Sequence, residues 1–454
     1  MTLTMTSLRG NRLWARAARS SLWIVLGYSG GQALRLASNL ILTRLLFPEA
    51  FGVMALVTVF MVGLAMFSDI GLGPSIAQNP RGDDPAFLNT GWTLQVMRGA
   101  GLWLATCLLA WPVALFYGQP VLAQMLPVAG LSLLIAGFNP TRMLTANRHL
   151  ALGRLTLLDL TAQAIGVAAM VALALALRSV WALVLGGLVG SLATLVLTHA
   201  FLPGHRDRPA LERPAAAELV RFGKWIFLST ALGFFLTQGD KAILGRFLSL
   251  EVLGLYNIGW FLASFPLLLG MAVISRIMIP LYRERPPWQG ADNARKLRRM
   301  RMLLTGAILS LLILLALGGV PLVGLLYDPR YAAAGAIVVA IACVQMLALV
   351  GMTYDQVALA AGNSRGYFAL TCVRTVLQIG CLLAGAVLGG LVGALAGQAL
   401  AIVLAHPFVA WLAARHGAWD PVHDAGYALI GGTAAAAALW LNREALMALA
   451  AVGG

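Results

Sequence analysis

Charged and amide side chains inside long apolar runs are where this chain could do chemistry. Tyr28, Gln32, Arg35 and Asn39 are separated by 4, 3 and 4 residues, which places all four on one face of a helix. Such a stripe faces either a wet cavity or a neighbouring helix that its amides bond for packing. Thr371, Arg374 and Gln378 repeat the pattern, and Thr156, Asp159 and Gln163 repeat it with the opposite charge. An ionisable group at the bilayer centre costs about 2.5–3.5 kcal/mol on insertion scales, so each is a candidate for function. Asp159 and Arg374 could pair across a cavity. Arg98, with Gln95 on the same helix, and Arg276 lie nearer to run ends. They are either cavity residues or side chains that snorkel to the interface. Asp240 and Lys241 are adjacent and make either a local pair or a gate. His406 reads as a packed neutral histidine in preference to a proton relay. The chemistry offered by these groups is binding and charge coupling.

Bond-breaking constellations are missing. Gly82-Asp83-Asp84 has no partner cluster and reads as a solvated loop, and no metal site is expected. No phosphate-binding loop of the GxxxxGK[ST] type occurs, so the chain is not expected to hydrolyse ATP, and it implies no cofactor. Cys107, Cys343, Cys372 and Cys381 lie in apolar stretches without a CxxC pair and read as small filler.

The elements that must position the charged groups follow from composition. Of 454 residues, 60% are apolar and 11% charged. Soluble domains carry about 25% charged residues, so the solvent here is lipid. No charge occurs between Arg98 and Arg142 or between Arg374 and Arg415. Each gap is too long for one crossing of about 20 residues. Each has a break, near Gly118–Pro120 and near Gly389–Gly390, and so reads as a helical hairpin. The apolar runs predict spans over 22–43, 51–68, 91–116, 121–138, 155–177, 180–200, 223–246, 254–281, 302–326, 332–354, 367–388 and 391–413. A thirteenth follows at 425–441, with an interfacial piece at 444–454. Residues 5–19 are either an interfacial helix or a polar tail. Placing the N-terminus in the cytoplasm puts most of the 32 basic residues on that side, the densest group being Arg295, Lys296, Arg298, Arg299 and Arg301. The net charge of +15 is then largely an orientation signal. No loop is long enough to form a nucleic-acid surface.

An internal repeat organises the spans. Residues 23–52 match residues 225–254 without gaps at 11 of 30 positions, pairing Trp23 with Trp225, Arg44 with Arg246, Glu49 with Glu251 and Gly52 with Gly254. Residues 144–173 match 359–388 at 7 of 30 positions. Each match pairs a span with the one six places later, so the halves share one orientation. The expected fold is an all-α polytopic membrane protein with 12–14 transmembrane helices. Its two parallel-repeat six-helix lobes would surround a central cavity. The expected divisions are an N-lobe at 1–205, a C-lobe at 206–420 and extra helices at 421–454. The Arg–Glu spacing after spans one and seven reads as a structural turn signature.

The run Leu42-Thr-Arg-Leu-Leu-Phe-Pro-Glu-Ala-Phe-Gly52, then Phe67-Ser-Asp-Ile-Gly-Leu-Gly73, resembles the polysaccharide transporter and oligosaccharide flippase family of the MOP exporter superfamily. So does Gly239-Asp-Lys-Ala-Ile-Leu-Gly-Arg-Phe-Leu248 through Glu251 and Gly254-Leu-Tyr256. The resemblance covers about residues 20 to 415. It implies alternating access in the bacterial inner membrane. It also implies a substrate, undecaprenyl-diphosphate-linked oligosaccharide units, and hand-over to polysaccharide polymerase and chain-length machinery. It implies a cationic lumen, which Arg35, Arg98, Arg276 and Arg374 match in type; Tyr28, Gln32, Asn39 and Gln378 are expected to line the same substrate cavity. Arginine binds phosphate oxygens bidentately, which suits a lipid diphosphate. Asp159, Gln163, Asp240 and Lys241 remain candidates for coupling or an inter-lobe pair. Two alternatives stand: a multidrug exporter of the same superfamily, which needs intramembrane acids, and a membrane polymerase or ligase, which usually has a large outer loop.

Overall fold

The computed structural model describes residue 23, residues 26–284 and residues 286–452, apart from some side chains between 222 and 291. Residues 5–19 lie outside the described residues. The described residues are helical with no strand. Helix α1 covers 26–45. It is followed by α2 (Pro48–Phe67), α3 (Leu72–Gln78), α4 (Pro85–Tyr117), α5 (Val121–Gly137), α6 (Arg142–Arg148), α7 (Leu152–Leu177) and α8 (Trp181–Phe201). Then come α9 (Arg213–Phe247), α10 (Leu250–Glu284), α11 (Ala291–Leu326), α12 (Ala334–Met352), α13 (Asp355–Ala360), α14 (Ser364–Arg415), α15 (Pro421–Leu441) and α16 (Arg443–Val452). Among the described residues, 8 helices are long and apolar enough to cross a membrane, and 10 if two bent pairs each count as one span. The short helices α3, α6 and α13 are not foreseen by the span pattern, because they carry no apolar run of their own.

Helix starts obey local chemistry. Glu49 and Glu251 fall in the first turns of α2 and α10, where a carboxylate meets the positive end of the helix dipole. The repeated Arg–Glu spacing is therefore a helix-start signature. Asp84 caps α4 by accepting from the Ala86 amide, with Pro85 at the first helical position. Both expected hairpins are present. Gly118 ends α4 at φ 65°, ahead of α5. In α14 the helix breaks at Gly389 and Gly390, the latter at φ 54°, which favours glycine. The arms of α14 then fold back on each other: a Cβ on Gly385 would lie 2.1 Å from the Gly393 carbonyl oxygen, and one on Gly397 2.1 Å from that of Cys381.

Two compact units form. One holds the chain up to Leu46 with Val57–Ala231, the other Phe47–Leu56 with Leu232–Gly454. In the first, the connector after α8 is laid along the start of α4. The amides of Arg208, Ala210 and Glu212 donate to Asn89, Thr93 and Thr90 side chains. Asp207 takes both the amide and the hydroxyl of Thr141. Asp83 pairs with Arg148 and His149, and Arg81 bridges Asp84 and Glu212. The acidic pair at 83–84 thus ties loops together; it is more than a solvated loop.

In the second unit, the starts of α2 and α10 meet at backbone distance. A Cβ on Gly52 would lie 1.9 Å from the Leu250 oxygen, and one on Gly254 1.9 Å from the Pro48 oxygen. The contact maps onto itself under the repeat offset, since 48 and 52 become 250 and 254 when 202 is added. It is a self-complementary crossing of equivalent segments. Overpacking such a contact costs about 1–3 kcal/mol or more. Gly254→Val should therefore lower the thermal unfolding midpoint of the purified protein by several degrees. Gly426→Ala, where an added Cβ meets nothing within 4 Å, should leave it level or slightly raised.

Candidate functional site

The polar stripe of α1 is turned away from its packing face. Gly27, Gly30 and Gly31 sit against Thr156, Leu160 and Gln163 of α7, and Gln163 Nε2 donates to the Gly31 carbonyl at 3.2 Å. At 100° per residue, Tyr28, Gln32, Arg35 and Asn39 point roughly 100° off that contact. Gln32 Nε2 donates to Tyr28 Oη at 3.2 Å, tying the top of the stripe. Arg35 is exposed and has no ion pair among the described residues. Asn39 is half-buried and its carbonyl accepts from the Thr43 hydroxyl. Asp159 lies beside the α7 contact face, exposed, without an ion pair among the described residues.

The equivalent contact recurs in the second unit. Gln378 Nε2 of α14 reaches the Leu236 carbonyl of α9 at 3.5 Å, as Gln163 reaches Gly31. Both glutamines therefore serve helix packing. Arg374 is engaged otherwise: its Nη2 lies 2.7 Å from Asp355 Oδ1, both half-buried. Its carboxylate partner is Asp355, not Asp159. The reason is local, because the unforeseen helix α13 brings Asp355 onto the first arm of α14.

Arg98 closes the end of α2. Its Nη2 donates to the Ala65 carbonyl at 2.6 Å and its Nε to Ser68 Oγ at 3.0 Å, so it meets the negative end of the helix dipole. Gln95 Nε2 faces the carbonyls of Ala136, Gly137 and Asn139 at the end of α5. A cavity of about 280 Å³ lies beside them, walled also by Leu102, Leu133 and Met143. Asn139 Oδ1 is buried there with no partner among the described residues. Arg276 is in α10, with its side chain outside the described residues. Asp240 and Lys241 are both buried and part company. Asp240 accepts from Tyr256 Oη at 2.6 Å, and Lys241 Nζ sits 3.9 Å above the Trp260 ring. Both fasten α9 to α10 through these α10 partners.

Residues 41–336 match the family described as polysaccharide biosynthesis protein. The chain belongs to this polysaccharide biosynthesis family. It is 22% identical over 381 residues to the succinoglycan biosynthesis transport protein ExoT of Rhizobium meliloti (strain 1021), covering 82% of this chain and 75% of that one. It is 23% identical over 267 residues to the lipopolysaccharide biosynthesis protein WzxC of Escherichia coli (strain K12), covering 58% and 53%. Its fold is similar to that of the lipid II flippase MurJ in an inward closed conformation, with a TM-score of 0.67 at 13% identity over 95% of this chain and 97% of that one. An inward-facing multidrug resistance MATE family transporter of the MOP superfamily gives 0.59 at 15%, over 87% and 98%. This member of the polysaccharide biosynthesis family thus shares its multi-span helical fold with these two structures.

Sequence reasoning missed one polar centre of the fold. In the second unit Asp424 is hydrogen-bonded to Tyr354 Oη at 2.6 Å, His423 Nδ1 at 3.0 Å, Trp419 Nε1 at 3.0 Å and His406 Nε2 at 3.1 Å. His406 is therefore held by a carboxylate from α15. The signal was the run Asp420, His423, Asp424 opening an apolar stretch, which marks a capped helix start. Asp420 caps α15 and pairs with Arg298, whose Nη2 is 2.5 Å away. That hydrogen bond holds the Asp420 carboxyl below its ordinary value. The unfolded carboxyl titrates near pH ~4. The pair's contribution is therefore whole above that pH and is lost as pH falls through the lower folded value. Unfolding midpoints taken from pH 6 downward should drop below about pH 4, and Arg298→Ala should shrink that drop.

Proposed function

We propose that this chain is a flippase for undecaprenyl-diphosphate-linked oligosaccharide units, moving them across the bacterial inner membrane by alternating access for surface polysaccharide synthesis. The observation that carries this reading is Arg35. A guanidinium in an apolar helix, exposed and without an ion pair among the described residues, is too costly to present to hydrocarbon. It requires an aqueous path and an anion. A lipid diphosphate supplies the anion, and the stripe of Tyr28, Gln32 and Asn39 supplies hydrogen bonds for sugar hydroxyls. Names of the relatives agree in kind: one is a succinoglycan transport protein and one a lipopolysaccharide biosynthesis protein.

Arg374 is the second binding group in this reading, released to substrate when Asp355 lets go. Arg98 and Arg276 complete the cationic set, with the Gln95 amide beside Arg98 in its cavity. Asp159, an acid with no ion pair among the described residues, is assigned the coupling role. The chain acts as a transporter, not as an enzyme, with lobes at 1–205 and 206–420 and an extension at 421–454. Its N-terminus is cytoplasmic and its product passes to polymerase and chain-length machinery. A drug-exporter reading has only the shared fold behind it.

The test is complementation of a deletion strain, scored by surface polysaccharide with membrane protein levels measured alongside. Arg35→Ala should lower polymer about tenfold or more, the loss expected for one charge-assisted contact. Arg374→Ala should lower it as well, while Arg35→Lys should retain part of the output. Normal polymer at normal protein levels in both alanine variants would overturn the assignment.

A further inference from the structure

The densest basic group of the chain opens α11, and one member of it is buried with no ion pair of its own among the described residues. Arg301 is 2% exposed. Its Nη2 donates to Tyr282 Oη at 2.8 Å and to the Ala418 carbonyl at 3.0 Å, and its Cζ stands 4.3 Å over the Tyr354 ring. All three partners are neutral. Arg301 Nε has no hydrogen-bond partner among the described residues. The neighbouring carboxylates are taken: Asp420 by Arg298, and Asp424 by Tyr354, Trp419 and the two histidines. The carboxylate that meets its charge, Asp420, is shared with Arg298, and a buried charge that is only partly compensated is destabilising, so this guanidinium calls for a further anion from outside the chain.

There is room for one. Arg301 lines a cavity of about 270 Å³ together with Arg295, Arg298, Trp419, Asp420 and Pro287. Three guanidinia face one carboxylate in this wall, an excess of two positive charges. Arg295 is 75% exposed, 3.7 Å from Asp292, and stands in the same wall. The site lies where the basic excess places the cytoplasmic leaflet. An apolar track leaves it. Pro421 is in the wall, and Val422 and Leu429, seven residues apart on one face of α15, are both strongly exposed.

We propose that this cavity binds the phosphate of an anionic phospholipid, held by Arg301, Arg298 and Arg295, with acyl chain along Val422 and Leu429. A phosphodiester offers the two oxygens that a guanidinium fork accepts. Basic pockets between helices on the cytoplasmic side are suited to such headgroups. The site then joins α11 to the α14–α15 connector through a lipid, and it stands whatever the transported substrate is.

The test uses full-length protein in a neutral detergent, titrated with short-chain phosphatidylglycerol, short-chain phosphatidylcholine or inorganic phosphate, and read by native mass spectrometry and unfolding midpoint. Phosphatidylglycerol should bind saturably and raise the midpoint, with phosphatidylcholine about tenfold weaker. Arg301→Gln should weaken phosphatidylglycerol about tenfold. Arg295→Gln, at an exposed position that leaves folding intact, should weaken it in the same direction. Arg443→Gln, beyond the far end of α15, should change nothing. Inorganic phosphate that fills the site as well as the lipid does would overturn the lipid source and leave a soluble phosphate in its place. Equal binding of the two lipids, or wild-type binding in both Arg301→Gln and Arg295→Gln, would overturn the site.

Discussion

In hydrocarbon there is no hydrophobic pull between one apolar helix and another, so helices associate where their backbones can come close. Glycine is what permits that approach here. Gly52 and Gly254 let α2 and α10 cross at their carbonyls, and Gly385, Gly393 and Gly397 let the arms of α14 lie against each other. In the first unit, Gly99 meets Gly137 and Gly166 meets Gly190 in the same manner. The stripe on α1 faces off its packing surface because Gly27, Gly30 and Gly31 fix which surface that is.

The second constraint is charge. Most ionisable groups inside the apolar helices are neutralised by something local. Arg98 ends on the Ala65 carbonyl of α2 and the Ser68 hydroxyl, Lys241 on an indole face, Asp240 on a tyrosine hydroxyl and Arg374 on Asp355. These contacts explain how the groups are tolerated, whereas Arg35 and Asp159 make no ion pair among the described residues. A charge that the fold does not satisfy is one that a ligand or an ion must satisfy. The same logic, applied at the membrane face, singles out Arg301.

The repeat shows how duplication is used. Its strongest sequence match, the helix start with Glu49 or Glu251 and the glycine three residues on, is where the two copies touch. Its weaker match places Gln163 and Gln378 in equivalent packing contacts, while the neighbouring position carries Asp159 in one copy and Arg374 in the other. Shared residues hold the scaffold and the divergent pair carries charge of opposite sign. That is the pattern expected if packing is common to both halves and binding is not.

The sequence by itself determined the solvent, the helices and the repeat. Long uncharged runs, hairpin breaks at Gly118 and Gly389–Gly390, and equivalent Arg–Glu helix starts are local or periodic signals, so they can be read without coordinates. The tertiary structure alone decided which charge meets which. Asp355 reaches Arg374 from a six-residue helix with no apolar signature. Asp424 gathers side chains from the α12–α13 connector, α14 and its own helix across gaps of up to 70 residues. Such pairings depend on where helices dock, and docking is set by backbone approach at glycines whose partners lie far away in the chain. Spacing along one helix says which face a residue occupies; only packing says what that face is given to meet.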